Sequence, residues 1–324
     1  MKNYNAIDLM KFILGLMVVA IHTNPFESVS PALNLFFVDT LSRLAVPLFF
    51  LSSGFFVANK LNDNKVVLNY VKRTIMLYLV WSIIYLPINV YNILQDKSFI
   101  SLYIRRFFFE GSYYILWFLP ALAFGVILLK FLYNLLNKQL LIPGCVILYI
   151  LGAMGQSYYS KVNMPPSFEV YYSFFLTTRN GLFFAFPFLC LGVFIRKNPD
   201  IVSKKNALIY SIVCFILLSL EVFFARNLDF SKGNGMWIFV LPTAFFVFIY
   251  ITNIRLKDSP KYLWLRKLST LLFLSHGIFV IAFAIISPRI GLTNSILQFL
   301  FVLIQSLILS QIILKIKKLK FLYE

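Results

Sequence analysis

Asp8, Lys11 and His22 stand in one apolar stretch, residues 7–23, which reads IDLMKFILGLMVVAIHT. Read as a helix, the interval from Lys11 to His22 makes about three turns, so both side chains fall on one face roughly 16 Å apart. Asp8, one turn before Lys11, joins that face. An ionisable group at membrane depth costs about 2.5–3.5 kcal/mol and generally faces a protein interior or a wet cavity. The stripe is therefore a site hypothesis: an imidazole able to take a proton, with a cation and an acid further down the same helix. A simpler reading stands beside it for two of the three residues. Asp8 and Lys11 form one ion pair near the membrane surface, with the lysine stem snorkelling outward. His22 resists that reading, because the chain has only two histidines.

Other polar residues interrupt apolar runs. Glu221, in LLSLEVFFA, is expected at about the depth of His22. A carboxylate there orients an imidazole or binds a substrate hydroxyl; a structural pair with Arg43, Arg179 or Arg226 is the alternative. His276, in LSHGIFV, is expected near mid-membrane, where a backbone carbonyl or a serine of a neighbouring helix would satisfy it. With Asp8, Arg43, Trp117, Arg179 and Asn180, it also completes a set of candidate substrate ligands. Ser52-Ser53-Gly54 is read as a place of close helix approach and not as a nucleophile. The chain has no Gly-rich phosphate loop, HExxH or GxSxG. Cys145, Cys190 and Cys214 lie in apolar runs without metal-like spacing, so buried free thiols are expected, and no metal.

The elements that must position these groups follow from composition. At 324 residues, 60% hydrophobic and a mean hydropathy of +0.83, the chain reads as an all-α polytopic membrane bundle forming a single domain over 1–324. Ten spans are expected, near 6–23, 41–58, 74–95, 114–133, 141–157, 180–195, 206–225, 236–253, 268–287 and 293–314. The first is expected to be an uncleaved span, since no small-residue cleavage site follows His22. The net charge of +18 does not point to nucleic acid, because topology accounts for it. With the N-terminus inside, twenty basic residues, including Lys2, Lys72, Arg73 and Lys138, fall on the cytoplasmic side. Nine, including Arg43, Lys97, Arg105, Arg106 and Arg179, fall on the other. That bias places both termini in the cytoplasm, with His22 at the outer end of the first helix. A bacterial cytoplasmic membrane is the expected setting. Residues 96–113 are read as an interfacial helix around Arg105 and Arg106, and the tyrosine-rich 158–179 as a lid or an aromatic anchor. No internal repeat is visible, which counts against a transporter built from inverted halves.

Six segments, in order, carry a resemblance. IDLMKFILGLMVVAIHT, RLAVPLFFLSSGFF at 43–56, YVKRTIMLYLVW at 70–81, LWFLPAL at 116–122, RNGLFFAFPFLCLG at 179–192 and LSHGIFV at 274–280 together resemble the acyltransferase-3 family, multi-pass membrane enzymes that O-acylate cell-surface carbohydrates. That family has an arginine, ten residues, then a histidine in its first helix. Lys11 stands here in the arginine position and His22 in that of the histidine, which the resemblance makes the catalytic residue. Lysine keeps the charge and loses the planar fork. A family pair of arginines three apart is only partly kept, with Arg73 beside Lys72, and Ile115 stands where a histidine often precedes LWFL. The resemblance implies acetyl-CoA or another acyl-coenzyme A as donor substrate from the cytoplasm, with no permanently bound cofactor. Lys11, Lys72 and Arg73 would face its phosphates, although positive-inside bias alone also places cations there. The acceptor would be a hydroxyl of an extracytoplasmic glycan or lipid-linked sugar. His22 acts in this scheme as base, or is itself acylated, with Lys11 and Glu221 assisting. A second reading comes from related membrane modules fused to the serine racemases of glycopeptide resistance: a transporter or binding module for a small molecule such as an amino acid.

Overall fold

A computed structural model describes residues 4–96, 99–135, 138–227 and 232–324, without the side chains of Lys138, Gln139 and Ile290. Lys2 and Lys97, and the side chain of Lys138, which entered the charge count, lie outside the described residues. Every regular element among the described residues is helical. In chain order these are α1 (Asn5–Thr23), α2 (Pro31–Asn34), α3 (Ala45–Val57), α4 (Asn64–Ile84), α5 (Leu86–Gln95), α6 (Phe99–Phe109) and α7 (Phe118–Leu135). The second half adds α8 (Lys138–Gly155), α9 (Pro166–Phe174), α10 (Phe186–Lys197), α11 (Lys204–Ala225), α12 (Val240–Thr252), α13 (Pro260–Ile290) and α14 (Ser295–Lys315).

Among the described residues seven helical stretches are long and apolar enough to cross a membrane, and Leu140–Gly155 and Val240–Thr252 are shorter apolar helices. The ten expected ranges overlap helices with different edges, and seven of the helical stretches, not ten, have spanning length and hydropathy. The second begins ten residues early: α2 runs through a π-helical segment, Leu35–Leu41, and a 3-10 turn, Ser42–Leu44, into α3. The third starts at Asn64, where Asp63 caps by accepting from the Val66 N–H at 3.1 Å, and breaks at Tyr85 before Pro87. The cap outweighs the low hydropathy of the lysine-bearing first turns. The ninth extends to 31 residues, from the Ser259–Pro260 start to Gly291 at φ +66°. Residues 96–113 contain the expected helix, α6, and 158–179 contain a 3-10 turn and α9.

The core is fixed by close backbone approach. A Cβ on Gly54 would lie 2.0 Å from the Leu189 carbonyl oxygen, and one on Gly192 would lie 2.1 Å from that of Leu51. The Ser52-Ser53-Gly54 run therefore serves close contact of α3 with α10, as in other membrane helix pairs. Gly15 brings α1 against Ser269 and Leu272 of α13, and the Ser269 hydroxyl donates to the Lys11 carbonyl at 2.6 Å. The cysteines are free thiols; Cys145 and Cys190 are buried, whereas Cys214 is half-buried.

Two π-helical segments, Leu35–Leu41 and Gly181–Ala185, break the α-helical period at one end of the bundle. Such insertions re-aim side chains and recur at functional sites. Here they flank Arg43 and Arg179.

Candidate functional site

His22 sits in the last turn of α1, which Asn24 ends in a left-handed conformation at φ 45°. Its ring stacks on that of His276 at 5.2 Å between centroids and 25° between planes, and meets Tyr114 edge-on at 5.1 Å. His276 is fully buried. Its Nδ1 lies 3.2 Å from the Leu272 carbonyl oxygen, a contact that requires a proton on that nitrogen. Nε2 is then a lone pair, and no hydrogen-bond partner reaches it. The expectation that a carbonyl satisfies His276 holds for half of the ring. The other half is an unpaired acceptor beside His22, which costs folding free energy.

His22, Arg43, Tyr114, Trp117, Arg179 and Gly235 line one cavity of about 60 Å³. Arg43 is held at 2.6 Å by Asp39 and donates to Asn234 at 3.0 Å. Gly235, at φ +98°, lets the backbone press on the guanidinium, since its Cβ would sit 3.1 Å from Nη1. Arg179 stacks over Trp117 at 4.8 Å, an arrangement worth about 0.5–2 kcal/mol. Burial, then the charge of Arg43, push its pKa down to about 10, so it is charged at neutral pH. The Nε atoms of both arginines are buried without a hydrogen-bond partner.

Tyr114, Trp117 and Arg179 also line a second cavity of about 320 Å³, completed by Arg106, Glu110, Gly111 and Thr177. On the other side, Phe273 is shared with a third cavity of about 70 Å³ that reaches Ser269. Phe49, Phe118 and Phe273 close ring-to-ring there, at 5.4 to 6.1 Å. The cavity lined by His22 thus shares walls with both of the others.

Several expected ligands lie elsewhere. Glu221 does not line the His22 cavity. Its carboxylate accepts from Tyr158 and from the N–H groups of Ile238 and Phe239, the last two at 2.6 and 2.9 Å, which tie the start of α12 to α11. Asn180 caps the second π segment through the N–H groups of Leu182 and Phe183 and donates to Tyr171. Its side chain is saturated by that work. Asp8 and Lys11 are not an ion pair. Asp8 faces Arg266 at 3.9 Å, while the Lys11 ammonium lies 5.2 Å from the centre of the Phe56 ring. Lys72 and Arg73 are exposed on α4. Among the described residues no cluster of metal-ligating side chains is found.

Sequence reasoning missed Tyr114, Asp39, Asn234, Gly235, Arg106 and Glu110. Only the turn-forming Asn234-Gly235 pair gave a local signal, and that signal is for a turn.

The geometry is that of an all-helical membrane protein with a buried imidazole pair, and relatives bear on what such a chain is. It is 32% identical over 333 residues to an amino-acid racemase of Enterococcus faecalis, covering 97% of this chain and 46% of that protein. A second amino-acid racemase of Enterococcus faecalis is 35% identical, over 79% of this chain and 37% of its own length. A serine/alanine racemase of Enterococcus gallinarum is 30% identical, over 94% and 45%. The chain spans less than half the length of the curated relatives it matches. No solved structure matches it. The family model described as an acyltransferase domain matches residues 4–315, and the chain belongs to the acyltransferase-3 family.

Proposed function

We propose that the protein moves a small acyl group, by default acetyl, from acyl-coenzyme A to a hydroxyl of an extracytoplasmic glycan or lipid-linked sugar. The observation that carries this reading, beyond family membership, is His22, stacked on His276 and lining a cavity that shares walls with two others. The thioester would arrive from the side of Lys11, whose ammonium stands over Phe56, with Lys72 and Arg73 exposed towards the coenzyme's phosphates. The acceptor would enter through the larger cavity on the other side.

His22, neutral, takes the proton of the acceptor hydroxyl as that oxygen attacks the thioester carbonyl carbon. The carbon–sulfur bond then breaks, and the imidazolium returns its proton to the departing thiolate. Stacked His276 holds the ring in place, and its protonated Nδ1 fixes its own tautomer. Arg43, whose Nε is buried without a partner in a side chain lining the same cavity, supplies a donor for the oxyanion that develops in the tetrahedral intermediate.

His22→Ala should abolish acceptor-dependent release of coenzyme A while the protein still inserts and purifies as a single species. Normal acyl transfer by that variant would remove His22 from the chemistry. Uptake of an amino acid into proteoliposomes without coenzyme A would instead favour the transport reading.

A further inference from the structure

The larger cavity holds charges of both signs that do not pair with one another. Glu110 and Arg179 both line its roughly 320 Å³, yet among the described residues no ion pair within 4.0 Å joins them. The Glu110 Oε1 atom and the Arg179 Nε atom are each buried without a hydrogen-bond partner. Each cation is held back by an aromatic ring: Arg179 over Trp117 at 4.8 Å, and Arg106 over Phe99 at 5.7 Å. Leaving a buried charged group unsatisfied costs more than leaving a neutral one, and two such groups of opposite sign in one chamber would ordinarily close into a bridge. The Trp117 ring lies against the Arg179 guanidinium, and both unpaired atoms belong to side chains that line one chamber.

We propose that this chamber is a subsite for a zwitterionic group. An anion is taken by Arg179 and Arg106, and an ammonium close to it on the same molecule is taken by Glu110. The two arginines present planar donor forks suited to a carboxylate or phosphate, and the acceptor-only glutamate carboxylate suits an N–H cation. Tyr114 and Trp117, shared with the His22 cavity, form the wall past which a hydroxyl of the same molecule reaches the imidazole. A neutral sugar would bring no charge to the unpaired Glu110 and Arg179 atoms, and a simple anion would meet only the arginines while facing Glu110. This names the acceptor class of the proposed transfer and rests on that reading only for the hydroxyl's fate; the binding stands without it. One chemistry covers two sources, an aminosugar bearing an acid group or a free hydroxy amino acid.

The test is calorimetric binding to the purified full chain with four probes. Glucosamine 6-phosphate and L-serine carry both charges, N-acetylglucosamine 6-phosphate only the anion, and glucosamine only the cation. At least one zwitterion should bind ten times more tightly than either single-charge sugar. Glu110→Gln, nearly isosteric, should erase the preference for the free amine while keeping anion binding, and Arg179→Gln should lose both. Thermal unfolding of each variant separates a lost ligand from a lost fold. Binding of the aminosugar alone assigns a glycan source, and of serine alone a free amino acid. Equal binding of the anion-only sugar, an unchanged amine preference in Glu110→Gln, or no binding of either zwitterion to folded protein would overturn the subsite. Acceptor binding as described without acyl transfer would leave the subsite standing and overturn the transferase reading.

Discussion

Glu221 and Glu110 show how differently one side chain is used in this bundle. Glu221 interrupts an apolar helix and is the more conspicuous in the sequence, yet three donors saturate its carboxylate and it fastens α12 to α11. Glu110 follows α6 in a connector and attracts no notice in the sequence, yet one of its oxygens is buried without a partner. The contrast extends to their surroundings. Around α3, α10 and Glu221, backbone and side chains are closed against each other, with only the buried Ser52 hydroxyl of α3 left without a partner. Around His22, His276, Arg179 and Glu110, polar atoms are left over. Saturated groups report what holds the fold, and several unmet polar groups gathered at one cavity mark where a ligand is to be sought.

The strongest way to break the comparison is to strike the closed region at its tightest point. Gly192→Leu would drive side-chain atoms into the Leu51 carbonyl, already within 2.1 Å of a bare Cβ. Backbone cannot yield as a flexible side chain does, so the expected cost exceeds about 4–5 kcal/mol. Size-exclusion chromatography in detergent should show no monodisperse protein. Well-folded Gly192→Leu with ordinary transfer would mean that α3 and α10 do not meet as described.

In the open region the expected loss is of rate and not of fold. His276→Phe keeps a buried ring against His22 while removing both nitrogens, and the Leu272 carbonyl belongs to a helix that continues past it. Acyl transfer should fall roughly a hundredfold, with the midpoint of thermal unfolding held or raised because an unpaired buried acceptor is gone. Unchanged transfer would make His276 a packing residue only.

How legible each region was in the sequence follows from the same physics. Charges inside an apolar run cost enough to stand out, so Asp8, Lys11, His22 and Glu221 could be picked from one sequence. The helices themselves followed from hydropathy. What sequence spacing does not carry is contact across the fold. Arg43 meets Asn234 across 191 positions, and His22 meets His276 only because Gly15 lets α1 approach α13. The π segments that flank Arg43 and Arg179 leave no mark on hydropathy, and Glu110 in its connector resembles any surface acid. Glu221 shows the same gap: its place in an apolar run was readable, whereas the Tyr158 hydroxyl and the two backbone donors that satisfy it were not.

Glu221→Gln sharpens the contrast with a smaller effect. The amide keeps one acceptor but gives up the charge, so the N–H groups of Ile238 and Phe239 can no longer both be met in full. Loss of about 1–3 kcal/mol is expected, visible as a lowered unfolding midpoint, with transfer at permissive temperature unchanged. A fall in transfer without a fall in stability would return Glu221 to the site.

The smallest expected effect concerns Lys11, which belongs to neither extreme: it lines none of the three cavities around His22, and its ammonium rests over Phe56 at 5.2 Å. Lys11→Arg would bring a planar guanidinium to the same ring, and arginine stacks on aromatic faces at least as well as lysine. The fork adds donors towards Asp8, whose Oδ1 has no hydrogen-bond partner and has only a distant contact, 3.9 Å, with Arg266. The variant should therefore fold, bind acetyl-CoA within about threefold of the parent on this stacking energy, and gain slightly in thermal stability. Loss of acetyl-CoA binding in Lys11→Arg, measured calorimetrically, would show that the compact ammonium itself is required. Lys11 would then belong with the open region around His22.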